Sequence, residues 1–164
     1  VASMEKCGVL SRVLSGSQSK ALPVLLHLEQ GLGLLPDPIR RLACLGGENH
    51  AERLRLSKAE ARQLDRLLEH RGSPTTPTEL GYRFGVETGR DILLLNGALL
   101  EKPLPPSAEA ELSEGATAEF PVRPRDLMPK FKGPALGARL RDLEQRWIDS
   151  GFTLSRSALL GAQE

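Results

Sequence analysis

Three short signatures fix where helices must begin in this chain, and they leave little room for another architecture. In "PDPIRRLACLGG", Asp37 stands as an N-cap with Pro38 as the first helical residue, and Gly46-Gly47 supplies a left-handed stop. In "RLRLSKAEARQLDRLLEHRG", Ser57-Lys58-Ala59-Glu60 is a capping box, whose hydroxyl and carboxylate satisfy amides that a first turn leaves unpaired. Thr76-Pro77 repeats the pairing of cap and proline ahead of a longer segment. Between these marks the apolar residues recur at helical spacing, as Ala61, Leu64 and Leu68 do at i, i+3 and i+7, with Gly72 at the close.

Composition agrees. Of the 164 residues 40% are hydrophobic but only 4% aromatic, so Leu and Ala must fill the core, which suits helix-on-helix packing better than a sheet sandwich. The expectation is an all-α fold with no substantial sheet: a multi-helical body over 1–101, a Pro-rich and acidic linker over 102–120, and a smaller helical tail over 121–164. In the body, residues 1–15 show a loose helical pattern ending at Gly16. A second segment has Pro23 in its first turn and Gly31 and Gly33 at its close, and two further helices cover 77–84 and 86–101. In the tail, Leu136, Leu140, Leu143 and Trp147 form one stripe that Gly151 ends. Phe152 and Leu154 are placed to fold back on it, and Ser155 to cap a last short helix holding Leu159 and Leu160.

Several classes of function are disfavoured. The longest apolar run, "ILLLNGALL" at 92–100, falls short of the roughly 20 residues a bilayer span needs. No cationic-then-apolar leader opens the chain, so a cytoplasmic location is expected, and Val1 in place of Met points to a piece of something longer. Cys7 and Cys44 are isolated, and His27, His50 and His70 lie far apart, which reads as thiols rather than a metal site. There is no nucleophile elbow, no His-Glu-x-x-His and no phosphate-cradling glycine loop. Gly16-Ser17 stands without the Asp-x-Asp pair that nucleotide transfer would need. The net charge of +1 confines any nucleic-acid contact to local patches.

Two such patches stand out. Lys58, Arg62 and Arg66 lie at i, i+4 and i+8 on one helix, with Arg53 and Arg55 just before it, so a phosphate backbone can be tracked along that side. The competing reading is ordinary solvated surface, because Asp65 and Glu69 stand three residues beyond Arg62 and Arg66. Lys130, Lys132 and Gly133 precede the striped helix and Arg139 flanks it. A helix start carries unpaired amides and partial positive charge, which makes either an anion site or a plain cap beside snorkelling lysines.

Three stretches, "RRLACL" with "RLRLSKAEARQL" at 40–64, "YRFGVETGRDILLL" at 82–95 and "DLMPKFKGPALGARLRDLEQRWIDSGFTLSRSALL" at 126–160, together resemble the C-terminal part of bacterial class II tRNA nucleotidyltransferases. These are the CCA-adding enzymes of the poly(A) polymerase family, and the alphaproteobacterial forms look most similar. The last stretch is the most specific, with its Asp-Leu turn, its Gly-Pro-x-hydrophobic-Gly helix start from Gly133 to Gly137, and a long helix ending near a tryptophan. Pro124-Arg125 stands where the family has a glycine before Asp126.

The resemblance implies a parent enzyme whose head carries a Gly-Ser turn and an Asp-x-Asp pair for Mg-assisted transfer from CTP and ATP, and whose neck carries Glu-Asp-x-x-Arg to select between them. Neither motif occurs in these residues. The chain is then expected to hold no cofactor, to be inactive alone, and to position the tRNA 3′ end for an N-terminal catalytic head. Its partners would be tRNA and that head, with no membrane or DNA. The RNA-binding residues would be Arg53, Arg55, Lys58, Arg62, Arg66, Lys130, Lys132, Gly133, Gly137 and Arg139. The alternative is a helical protein-interaction or dimerisation module, with the leucine stripe of 136–147 docking a partner helix.

Overall fold

The computed structural model describes residues 1–128 and 130–161, and among them there are eleven helices and no strand. In chain order they are α1 Ala2–Lys6, α2 Val9–Val13, α3 Leu22–Gly31, α4 Pro38–Leu45, α5 His50–Arg53 and α6 Lys58–Glu69. There follow α7 Pro77–Leu99, α8 Ala108–Thr117, α9 Pro124–Leu127, α10 Gly133–Asp149 and α11 Arg156–Gly161. The chain divides into two compact units, 1–116 and 117–164. Among the described residues no helix is long and apolar enough to cross a membrane.

The helix starts form as their sequences dictate. Asp37 Oδ1 accepts from the Arg40 amide at 2.6 Å, and Thr76 Oγ1 accepts from the Glu79 amide at 3.2 Å. The capping box closes both ways: Ser57 Oγ accepts from the Glu60 amide at 3.3 Å, and Glu60 Oε2 from the Ser57 amide at 2.8 Å. Within α7 the backbone leaves helical geometry at Gly85, with φ 75° and ψ 174°, which separates the two runs expected on either side of it. The helical pattern of residues 1–15 becomes two short helices instead of one, because Gly8 turns left-handed between α1 and α2.

In the first unit the core is leucine-built. Leu25 of α3, Leu64 and Leu67 of α6, and Leu80, Ile92, Leu94 and Leu95 of α7 are all buried, each contributing about 1.5–3 kcal/mol over its exposed state. Asn96, the polar interruption of the long apolar run, has a specific duty there. Its Oδ1 accepts from the Gly72 amide at 2.6 Å and its Nδ2 donates to the Ser73 carbonyl at 2.9 Å, so it stands in for backbone that the turn after α6 lacks.

Charge is buried too. Glu29 and Arg40 are only 2% and 5% exposed. Arg40 donates through Nε to Glu29 Oε1 at 2.9 Å, through Nη1 to Asp91 Oδ1 at 2.6 Å and through Nη2 to the Leu35 carbonyl at 3.0 Å. Arg41 adds Nη2 to Glu29 Oε2 at 2.7 Å, so α3, α4 and α7 are joined by one ionic network. Burial works against the charge on Arg40, but the Asp91 and Glu29 carboxylates outweigh it and raise its pKa. For Asp91 burial dominates and lifts the carboxyl above its ordinary range, with Arg40 only partly pulling it back.

Of the stretch 102–120, expected as a linker, residues 102–116 belong to the first unit and carry nearly all of α8, while 117–120 belong to the second. Ala108 and Leu112 are buried, and the helices approach so closely that a methyl on Gly81 would fall 2.1 Å from the Leu112 carbonyl oxygen. A methyl on Gly115 would fall 1.9 Å from that of Thr78. Arg90 on α7 closes the contact by donating Nε and Nη2 to the two Glu109 oxygens, each at 2.6 Å.

In the second unit Trp147 lies between two rings, with Phe120 at 5.6 Å and Phe152 at 4.8 Å between centroids. Gly151, at φ 68°, ends α10 and lets Phe152 fold back. Leu143, Trp147 and Leu159 are buried, while Leu136 and Leu140 at the start of the stripe are half-buried. Ser155 Oγ caps α11 through the Ala158 amide at 3.2 Å. Asp126 accepts from the Arg123 amide at 2.8 Å and from Arg156 Nη2 at 2.7 Å. These bonds, the Arg123 amide foremost, hold its carboxyl below the usual range.

Candidate nucleic-acid interface

The face of α6 is set by its leucines. Leu64 and Leu67 point into the core, so the opposite side of the helix, which carries Lys58, Arg62 and Arg66, must face solvent, and all three residues are exposed. The row covers eight residue steps, about 12 Å along the axis. Asp65 and Glu69 share this side, yet neither forms an ion pair with Arg62 or Arg66 among the described residues. None of the three cations is tied to a described partner, and each is free to meet an anion from outside.

The two arginines before α6 differ from that row. Arg53 Nη1 donates to the carbonyls of Arg12 at 3.3 Å and Val13 at 3.2 Å and to Ser15 Oγ at 3.1 Å. It therefore closes the C-terminal end of α2, a structural duty that spacing could not reveal. Arg55 is exposed and sits left-handed, at φ 52°, in the turn between α5 and α6.

At the start of α10, Lys130 and Lys132 are exposed and no side chain caps the first turn. Gly133 has φ 56°, a conformation that disfavours a side chain, while a methyl on either Gly133 or Gly137 would meet nothing within 4 Å. Neither glycine is there for packing. Arg139 turns along its own helix and pairs with Asp142 at 2.6 Å, so it is not a spare cation. The ten residues therefore fall into two groups, one in each unit: a side chain row on α6 with its preceding turn, and the start of α10.

Elsewhere the chemistry is quiet. Burial pushes the Cys44 thiol up to about 11, which leaves it un-ionised and inert at neutral pH. Among the described residues no three His, Cys, Asp or Glu side chains gather in a way that could hold a metal ion. Against protein-family models, curated proteins and solved structures alike, the chain finds no match.

Proposed function

We propose that this chain is an RNA-holding region, specifically the tRNA-positioning body and tail of a CCA-adding nucleotidyltransferase whose catalytic head lies outside these residues. The observation that carries the reading is the α6 row: three exposed cations at helical-row spacing, none paired with its acidic neighbours. Unpaired guanidinium and ammonium groups in a line suit a phosphate backbone, and the absence of exposed aromatics between them suits backbone tracking over base stacking. The lysines and uncapped amides at the start of α10 offer a second anion-binding feature in the other unit. The sequence likeness of 40–64, 82–95 and 126–160 supplies the choice of tRNA among RNAs.

Titration of the chain with tRNA, followed by anisotropy across a salt series, tests this. Three phosphate contacts from the α6 row contribute a slope of log K against log salt of roughly −2 to −3. Replacing Lys58, Arg62 and Arg66 together by Glu should remove that part of the slope and most of the affinity. Absence of binding at low salt would sink the proposal.

A further inference from the structure

Between α4, α6 and α7 lies a cavity of about 470 Å³, within the range of small-ligand sites. One wall is apolar, from Leu34, Leu35 and Pro36, and Leu35 is 86% exposed, an unusual waste of a leucine. The other walls are polar, from Gln63 of α6 and from Glu87, Thr88 and Asp91 of α7, with Asp37 at the start of α4. We infer that this pocket takes an unpaired guanine base from an RNA whose phosphates run along α6; the inference rests on the RNA-holding reading above.

The charges decide which part of a nucleotide enters. Both arginines at the pocket are already committed, Arg40 to Glu29 and Asp91 and Arg90 to Glu109, so no guanidinium is spare for a phosphate. Three carboxylates, from Asp37, Glu87 and Asp91, would repel one. A base can enter where a phosphate cannot. Asp37 and Asp91 each spend an oxygen on Arg40, whereas exposed Glu87 makes no hydrogen bond with any described residue.

A carboxylate is acceptor-only and takes two adjacent N–H groups side by side. Of the four RNA bases only guanine presents two such donors on one edge, N1–H and N2–H. Thr88 and the Gln63 amide can then serve its O6, and the leucine wall can cover the ring. That edge is hidden in a duplex, so the guanine must be unpaired. The backbone path is short, because Gln63 is three residues from Arg66 on the same helix, about 5–6 Å between their Cβ atoms.

The test compares three RNA hairpins bound to the whole chain at low salt: one blunt, one ending in a single unpaired 3′ guanosine and one in a 3′ uridine. The guanosine form should bind roughly tenfold more tightly than the blunt one, the gain of one bidentate base contact, and the uridine form should not. In Glu87→Ala the ratio of guanosine to blunt affinity should fall to about one. If the guanosine adds nothing, or its gain survives Glu87→Ala, the inference is overturned, while salt-sensitive binding of the blunt hairpin would leave the RNA reading standing. If no hairpin and no tRNA binds, both fall together.

Discussion

Helices α4 and α6 both carry arginines in their first two turns, and they use them in opposite ways. Arg40 is 5% exposed and spends its guanidinium on two carboxylates and a carbonyl inside the first unit. Arg62 faces water and has no partner among the described residues. The difference comes from what surrounds the helix. Neighbours pack over both sides of α4, so six of its eight residues are buried, whereas α6 buries only Leu64 and Leu67. A cation on an enclosed helix must find partners within the fold, and one on a half-covered helix is left for something outside.

The contrast is sharpest at Arg40. Arg40→Ala would leave Asp91 without its guanidinium partner and buried Glu29 with Arg41 alone, an expected loss of about 3 kcal/mol read from the urea midpoint. A change under about 1 kcal/mol would mean that the network is solvated and the two helices are not so different.

Arg90 lies between the extremes, with 23% of its side chain exposed and 45% of its partner Glu109. Solvent screening holds the expected loss for Arg90→Ala below about 1 kcal/mol. Its pH dependence has a definite sign. The hydrogen bond from Arg90 holds the Glu109 carboxyl below the ordinary range, so the stabilisation is present above the unfolded value of about 4.3 and is lost as pH falls through the lower folded value. The gap between wild type and Arg90→Ala should therefore be constant near neutrality and close in acid. A gap that widens on acidification would contradict this.

The smallest effect is expected on α6. Lys58→Glu, Arg62→Glu and Arg66→Glu should each change stability by no more than about 0.5 kcal/mol, as surface positions do. Lys58→Glu should be the most favourable of them, because it puts negative charge at a helix N-terminus. A thermal scan of the triple variant that showed a large drop would assign the row a structural duty, and with it remove the contrast with α4.

Much of the fold was legible because capping is local. Asp37, Ser57 with Glu60, and Thr76 act on amides three residues away, so sequence neighbours suffice to place the starts of α4, α6 and α7. The fold-back of Phe152 was legible for the same reason. Helix α8 was not, since "AEAELSEGAT" has a single large apolar residue and the helix is held by glycines 81 and 115, which belong to two different helices. Close approach of that kind is a property of the pair and leaves no periodic trace in either member. At the candidate site spacing gathers the cations but does not sort them. Arg53 and Arg139 look like Arg62 in a string of letters, yet they are bound to the α2 carbonyls and to Asp142. Glu87 and Gln63 had no signal at all, because a pocket wall drawn from three helices has no spacing.

Asn96 carries a consequence for how this protein can change length. One side chain satisfies two consecutive backbone groups, the Gly72 amide and the Ser73 carbonyl, from a helix position 23 or 24 residues further on. The connection between α6 and α7 is thereby fixed in length as well as in shape. A single inserted residue at 72–73 would leave a buried amide group with half its partners, at the cost of an unmet hydrogen bond in the core. The turn between α5 and α6, where Arg55 stands exposed, has no such side-chain stitch among the described residues, so an insertion there is expected to cost less than one at 72–73.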